Sequence, residues 1–109
     1  MSLHHASPGE AIDIRRGSEA LPEEKSCALV KTERFEVMRL ILLEGQQVPA
    51  HHVEGPLTLQ CLEGSVTLKT LPSTTELHAG DWLYIDSAEP FSLHADADSA
   101  LLMTVIFEN

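Results

Sequence analysis

The sequence predicts an all-β protein, an antiparallel sandwich or barrel, from three observations. From about residue 35 onward, short runs of branched and aromatic residues alternate with turn residues. No apolar pattern with a helical period extends over this region, so an α/β nucleotide-binding fold is not expected. The chain has 109 residues, of which 43% are hydrophobic and 22% charged, as in folded globular domains. We therefore expect one domain with a single hydrophobic core.

Six strands are predicted, separated by turn residues such as Glu63-Gly64 and Ala79-Gly80-Asp81. They are Phe35–Leu43, Leu57–Leu62, Ser65–Leu71, Trp82–Ile85, Phe91–Ala95 and Ala100–Phe107. Residues 1–31 are mixed and polar and are assigned to an N-terminal arm, in which Ala11–Ile14 is at most a short edge strand. The barrel domain is assigned to residues 32–109.

Alternation along the predicted strands divides their side chains between two faces. In the run from Leu57 to Cys61 the odd positions are apolar, which places Leu57, Leu59 and Cys61 on one buried face. Near Leu62 and across the run 101–107, however, apolar residues occupy both faces. The second face needs a cover, and a partner subunit is the simplest one. We therefore expect a homodimer.

Charge and composition exclude several classes of function. Seven Lys and Arg residues stand against seventeen Asp and Glu, and residues 40–109 hold only Lys69 as a base. A nucleic-acid partner is not expected, because such affinity depends on basic side chains. No apolar run approaches the roughly 18 residues that cross a bilayer, so no membrane span is expected. The start of the chain lacks the pattern of a secretory signal, and Cys27 and Cys61 form no CxxC pair. We expect a cytoplasmic protein with reduced thiols, although a bridge between the two cysteines remains an alternative.

Two glycine-framed motifs resemble those of the small single-domain cupins. In that family the first motif is Gly, five residues, His, one residue, His, three or four residues, Glu, six residues, Gly. The frame from Gly45 through His51 to Gly64 matches it, and Gly80 to Phe91 matches the frame of the second motif. The resemblance covers about residues 36–107. It implies a double-stranded β-helix, the RmlC-like jelly-roll barrel, which is usually dimeric.

The same resemblance shows that most metal-ligand positions are altered. Cupin metals are held by two His and a Glu from the first motif and a His from the second. Here His51 matches the first position, but the other three fall on Val53, Leu57 and Phe91. Catalytic metal sites need about three protein ligands, and hydrocarbon side chains carry no lone pairs. We expect no ordinary metal site and instead an apolar pocket beside His51, lined by Val53, Leu57, Leu59, Cys61 and Phe91.

A rearranged metal site remains an alternative, with His51 joined by His52, Glu54 or His94. Adjacent strand residues point to opposite faces, so His51 and His52 both face inward only across a bulge. His94 has the same difficulty, because it lies three positions after Phe91 and so on the opposite face of the strand. Cys61 is a possible nucleophile, but buried cysteines are usually inert. Trp82 and Tyr84 share one strand face and suit either a pocket cap or a dimer contact.

Three functions are compatible with these residues. The leading hypothesis is a cupin that binds a small apolar or aromatic molecule without a metal, with His51 supplying one hydrogen bond. The second is a metal-dependent dioxygenase or isomerase that holds Fe, Mn, Ni or Zn by a displaced ligand set. The third is an interaction subunit whose interior is filled by its own side chains.

Overall fold

The computed structural model describes residues 5–15, 25–51, 55–86 and 89–108, with the main chain alone at Ala50 and His51. These residues form nine strands and no helix. The strands are β1 (Cys27–Lys31), β2 (Phe35–Leu42), β3 (Gln47–His51), β4 (Leu57–Glu63), β5 (Ser65–Thr70), β6 (Thr74–His78), β7 (Trp82–Ile85), β8 (Phe91–Ala95) and β9 (Ser99–Ile106). The described chain thus contains no helix of the length and apolarity that crosses a membrane.

The nine strands form two antiparallel sheets. The larger has the order β1-β2-β9-β4-β7, and the smaller has the order β3-β8-β5-β6. Alternate residues of β4, β8 and β9 are buried between the sheets, where they form the main core with residues of β5, β6 and β7. The all-β prediction is confirmed, and so is the shared buried face of Leu57, Leu59 and Cys61, each exposed by 1% or less.

All six predicted strands are present within one residue at each end. The sequence analysis missed β1, β3 and β6, which are edge strands of their sheets. An edge strand packs against fewer neighbours, so its apolar pattern is weaker. In β6 only Leu77 is buried, and β3 contains Pro49, a residue that sheets accept at their edges.

The N-terminal arm is partly integrated into the larger sheet. Its last five residues form β1, which pairs with β2. Ala11–Ile14, which the sequence analysis considered as a possible short edge strand, forms no strand. Ile12 and Ile14 instead pack against Cys27 and Leu29 in a second apolar cluster outside the main core. The arm therefore supplies the side chains that cover this part of the sheet.

Arg39 anchors the arm to the outer face of the larger sheet. Its side chain is fully buried, and its guanidinium donates hydrogen bonds to the carbonyl oxygens of Arg15 and Lys25, both at 3.3 Å. The odd residues of β2 face outward, since Val37 joins the arm cluster whereas Met38 and Leu40 pack on the main core. The chain itself thus covers part of the second apolar face that the sequence analysis assigned to a partner.

The turn between β4 and β5 depends on glycine. Gly64 has a φ of 88°, and a Cβ there would collide with the Asp98 carbonyl and with Ser99. The buried Ser99 hydroxyl accepts a hydrogen bond from the Ser65 amide at 3.0 Å and lies 2.8 Å from the Ala97 carbonyl oxygen. This close approach fixes the start of β9 against β5.

Removing a side chain from the core between the sheets should be costly. Leu59 is fully buried, so Leu59→Ala should lower the free energy of unfolding by about 2–5 kcal/mol. Leu71 is 89% exposed and gives a matched control, for which Leu71→Ala should change it by less than about 0.5 kcal/mol. Chemical denaturation followed by circular dichroism measures both. Equal effects of the two substitutions would contradict the assignment of the core.

The arm contact should depend on the forked donors of Arg39. Arg39→Lys retains the charge but replaces the guanidinium fork, so the part-buried hydrogen bonds to the Arg15 and Lys25 carbonyl groups are weakened at a cost of about 1–3 kcal/mol. Arg34 is exposed on the β1–β2 turn, and Arg34→Lys is the control. Urea denaturation should show a lower midpoint for Arg39→Lys alone. An unchanged midpoint would show that the arm does not depend on these hydrogen bonds.

Candidate functional site

The two cupin-like motifs meet at one end of the barrel. His51 ends β3 and is the register partner of Phe91, which begins β8. Phe91 is also the register partner of Thr70 on β5. The position matching the family's first ligand therefore lies beside the position matching its last, as the resemblance implies.

Hydrocarbon occupies the inward positions near this end. Leu57 and Phe91, at two of the family's four ligand positions, are each 1% exposed and belong to the main core. Neither side chain offers a lone pair to a metal ion, so the family's complete ligand set does not fit this chain. The described residues, which omit the side chain of His51, contain no cluster of three or more His, Cys, Asp or Glu suited to a metal.

Leu59 and Cys61 continue the apolar lining deeper along β4. Both are fully buried, and the Cys61 thiol lies 3.4 Å from the Glu63 carbonyl oxygen. Burial raises the pKa of the Cys61 thiol above its ordinary value, and the Asp81 carboxylate raises it further. Cys61 therefore stays protonated at neutral pH and is a poor nucleophile. Both cysteines are free in the structure.

Of the residues offered to join His51 in a rearranged site, His94 is the one within the described residues. Val53, of the expected pocket, and His52 and Glu54 lie outside the described residues. His94 is half-buried on the face of β8 opposite to Phe91, because buried and partly buried residues alternate along that strand. Its Nδ1 lies 3.0 Å from Asp96 Oδ1. His94 therefore faces away from the core that contains Phe91.

Sequence reasoning missed one acidic residue near the candidate site. Glu36 is half-buried on β2 and is the register partner of Val105, which is also the partner of Leu57. Register partners project from the same sheet face, so Glu36 belongs to the inward face at this end of the barrel. The sequence signal was its even position, shared with Met38 and Leu40.

Two surface concavities adjoin the candidate residues. One of about 160 Å³ has an entirely apolar lining that includes Leu57, Trp82 and Tyr84. The other, of about 280 Å³, lies on the outer face of the smaller sheet and contains His94, Lys69 and Thr67. The two concavities are thus on different sheets and differ in polarity.

No family model and no curated protein matches the sequence, but solved structures do match the fold. A conserved protein of unknown function from Streptococcus pyogenes is 16% identical with a TM-score of 0.78, and the match covers 100% of this chain and 97% of that one. A cupin-superfamily protein from Desulfitobacterium hafniense is 16% identical with a TM-score of 0.74, and 76% of each chain is covered. Salicylate 1,2-dioxygenase from Pseudaminobacter salicylatoxidans is 24% identical with a TM-score of 0.63, over 66% of this chain and 21% of that one.

These similarities define the class of protein by its fold. The chain has the cupin fold, an antiparallel jelly-roll barrel of the RmlC-like type. The fold resemblance inferred from the two motifs is thereby confirmed. At these levels of identity the similarity extends to the fold and not to a reaction.

Asp96, which bonds Thr67 and His94 beside the smaller sheet, should affect the pH dependence of stability. The Thr67 hydroxyl, 2.7 Å from Asp96 Oδ2, lowers the pKa of Asp96 below its ordinary value of 3.8. Desolvation opposes this shift, and His94 adds to it. Because the folded pKa is the lower one, the stabilisation is complete above the unfolded value and lost as the pH falls through the folded value. Asp96→Asn should flatten the loss of stability below pH 3.8.

Thr67→Val removes the largest cause of the lowered Asp96 pKa. It should therefore reduce part of the loss of folding stability at acidic pH. Urea denaturation at a series of acidic pH values measures the slope for each variant. Wild-type slopes in both variants would show that this hydrogen bond does not stabilise the folded state.

Proposed function

We propose that this protein is a metal-independent cupin that binds a small, mainly apolar or aromatic molecule at the barrel end containing His51. The ligand contacts hydrocarbon from β4 and β8, and His51 supplies one hydrogen bond. Sensing or sequestration of such a molecule suits this role better than catalysis. A cytoplasmic location and a homodimeric state are part of the same proposal.

The observation that carries the proposal is the burial of Leu57 and Phe91 at 1% exposure each, at positions where the family has ligands. Hydrocarbon at these positions suits an apolar ligand, because removing apolar surface from water is favourable. His51, beside Phe91 in register, is the one retained ligand type. One polar group among hydrocarbon can orient a ligand without chelating an ion.

A metal-dependent dioxygenase or isomerase is the second candidate. It is favoured by the fold match to salicylate 1,2-dioxygenase and by Glu36 on the inward face of β2. Such an enzyme would need His51 together with donors such as His52, Glu54 or Glu36, with Fe, Mn, Ni or Zn as the ion. A third role, an interaction subunit with a filled interior, is favoured by the close packing of Leu59 and Cys61.

Aromatic probes test the binding proposal. Benzoate, phenol and salicylate should be compared by thermal shift and by ligand-observed NMR with the wild-type protein. At least one should raise the melting temperature. His51→Ala removes one hydrogen bond and should weaken binding of that probe by about 2- to 10-fold.

His78→Ala is the control, because His78 is exposed on the edge strand β6. It should leave probe affinity unchanged. If no probe stabilises the protein, the filled-interior role is favoured instead. If His51→Ala and His78→Ala both bind as the wild type does, the proposed site is wrong.

A further inference from the structure

The last residue of β4, Glu63, lies on the outer face of the larger sheet. The preceding odd residues of β4, up to Cys61, point into the core. A β-bulge then shifts the register, so that Cys61 pairs with Leu101 of β9 but Glu63 pairs with Ala100. Leu101 belongs to the core, so its neighbour Ala100 and the partner Glu63 face outward. Bulges redirect side chains in this way next to active sites.

The carboxylate of Glu63 is poorly solvated. The side chain is half-buried, and its Oε1 is buried without accepting a hydrogen bond from the described part of the chain. Nearly all buried polar atoms in folded proteins have a partner, because a group that loses its hydration and gains no hydrogen bond is costly. A cation beside this carboxylate is therefore favoured.

A concavity of about 400 Å³ adjoins this carboxylate, between the arm and the end of β4. Ile14 and Arg15 line it from the arm, and Leu62 and Glu63 line it from β4. Arg15 does not pair with Glu63, because its side chain is 86% exposed and its guanidinium donates to the Asp13 carboxylate at 3.0 and 2.8 Å. Among its described residues, the concavity thus combines two apolar walls with one carboxylate that lacks a cationic partner.

The charge around the end of β4 selects a cation. The chain has a formal net charge of −10, and Asp81 pairs through its main chain with Cys61. The carboxylates of Asp81 and Glu63 both add to the effect of burial that raises the pKa of the Cys61 thiol. One carboxylate does not hold a metal ion, and the described residues form no metal-binding cluster. An organic ammonium group needs only one such partner, and its apolar body suits the walls.

We propose that this concavity binds a small primary amine with an apolar body, whose ammonium group pairs with the Glu63 carboxylate. Ile14 and Leu62 contact the hydrocarbon of the ligand, and its ammonium group donates hydrogen bonds to the carboxylate. The volume of about 400 Å³ lies within the range of small-molecule sites. Glu63 and Leu57 are at opposite ends of β4, so this site is separate from the barrel end that contains His51. The inference does not depend on the proposed function.

Benzylamine and benzyl alcohol test the proposal, because they share an aromatic ring and differ in the ammonium group. Titration of the full-length protein, followed by ligand-observed NMR, should show that benzylamine binds at least ~10-fold more tightly than the alcohol. Benzylamine should also raise the melting temperature of the wild-type protein. Absence of benzylamine binding, or equal affinities for the two probes, would overturn the proposal.

Glu63→Gln retains the shape of the side chain but removes its charge. It should weaken benzylamine binding at least ~10-fold and leave binding of benzyl alcohol unchanged. The melting temperature of the ligand-free variant should not fall, because an unpartnered charge is lost. A lower melting temperature would show that the carboxylate already has a partner in the folded protein.

Glu76→Gln, on the edge strand β6 of the other sheet, is the control because Glu76 is exposed and the change in net charge is the same. It should bind benzylamine as the wild type does. Circular dichroism checks the folding of both variants. Wild-type affinity in Glu63→Gln, or equal weakening in the two variants, would overturn the proposal.

Discussion

The structure depends on hydrocarbon packing between two antiparallel sheets. Every second residue of β4 and β8 enters this space, and these residues are almost completely removed from water. Burial of that apolar surface is the main favourable contribution to the free energy of folding. It also determines the chemistry of the barrel end, because Leu57 and Phe91, at two positions that match metal ligands of the cupin family, here belong to the core. The same side chains therefore stabilise the fold and restrict its function.

The outer face of the larger sheet also carries apolar side chains that must be covered. Strands β2 and β9 have apolar residues on both faces, and the core between the sheets covers only one of those faces. Part of the solution lies within the chain, where the arm packs over the sheet and Arg39 binds the carbonyl groups of Arg15 and Lys25. A fully buried guanidinium is tolerated only with such partners. Trp82 and Tyr84 of β7, at the other edge of the same sheet, are exposed to solvent.

The fold could be predicted from the sequence because its central strands alternate strongly and its turns contain glycine at fixed positions. The edge strands β3 and β6 were missed because their described side chains are mostly exposed, whereas β1, which buries Cys27 and Leu29, was missed because it was assigned to the polar arm. The arm was interpreted as polar, because the packing of Ile12 and Ile14 against Cys27 and Leu29 is not visible in the sequence pattern. Glu36 was missed for a similar reason. It shares a sheet face with Leu57 only because both residues pair with Val105, which lies on a strand distant in sequence.

Long-range register also limits what a sequence can say about the site. His51 and Phe91 come from two different motifs and are register partners in the structure. Their proximity was predicted by the family resemblance and not by the local sequence pattern. The outward position of His94 followed from strand parity alone. The identity of a ligand is not encoded in either pattern, because apolar packing is not specific for one molecule.

The metal content of the protein purified without chelators tests the account most directly. Elemental analysis for Fe, Mn, Ni and Zn should find each of them well below one equivalent per chain, since Leu57 and Phe91 contribute no donors. Near-stoichiometric metal that is lost in His51→Ala would contradict the account. It would place a working ion site at the end of the barrel that we assign to hydrocarbon.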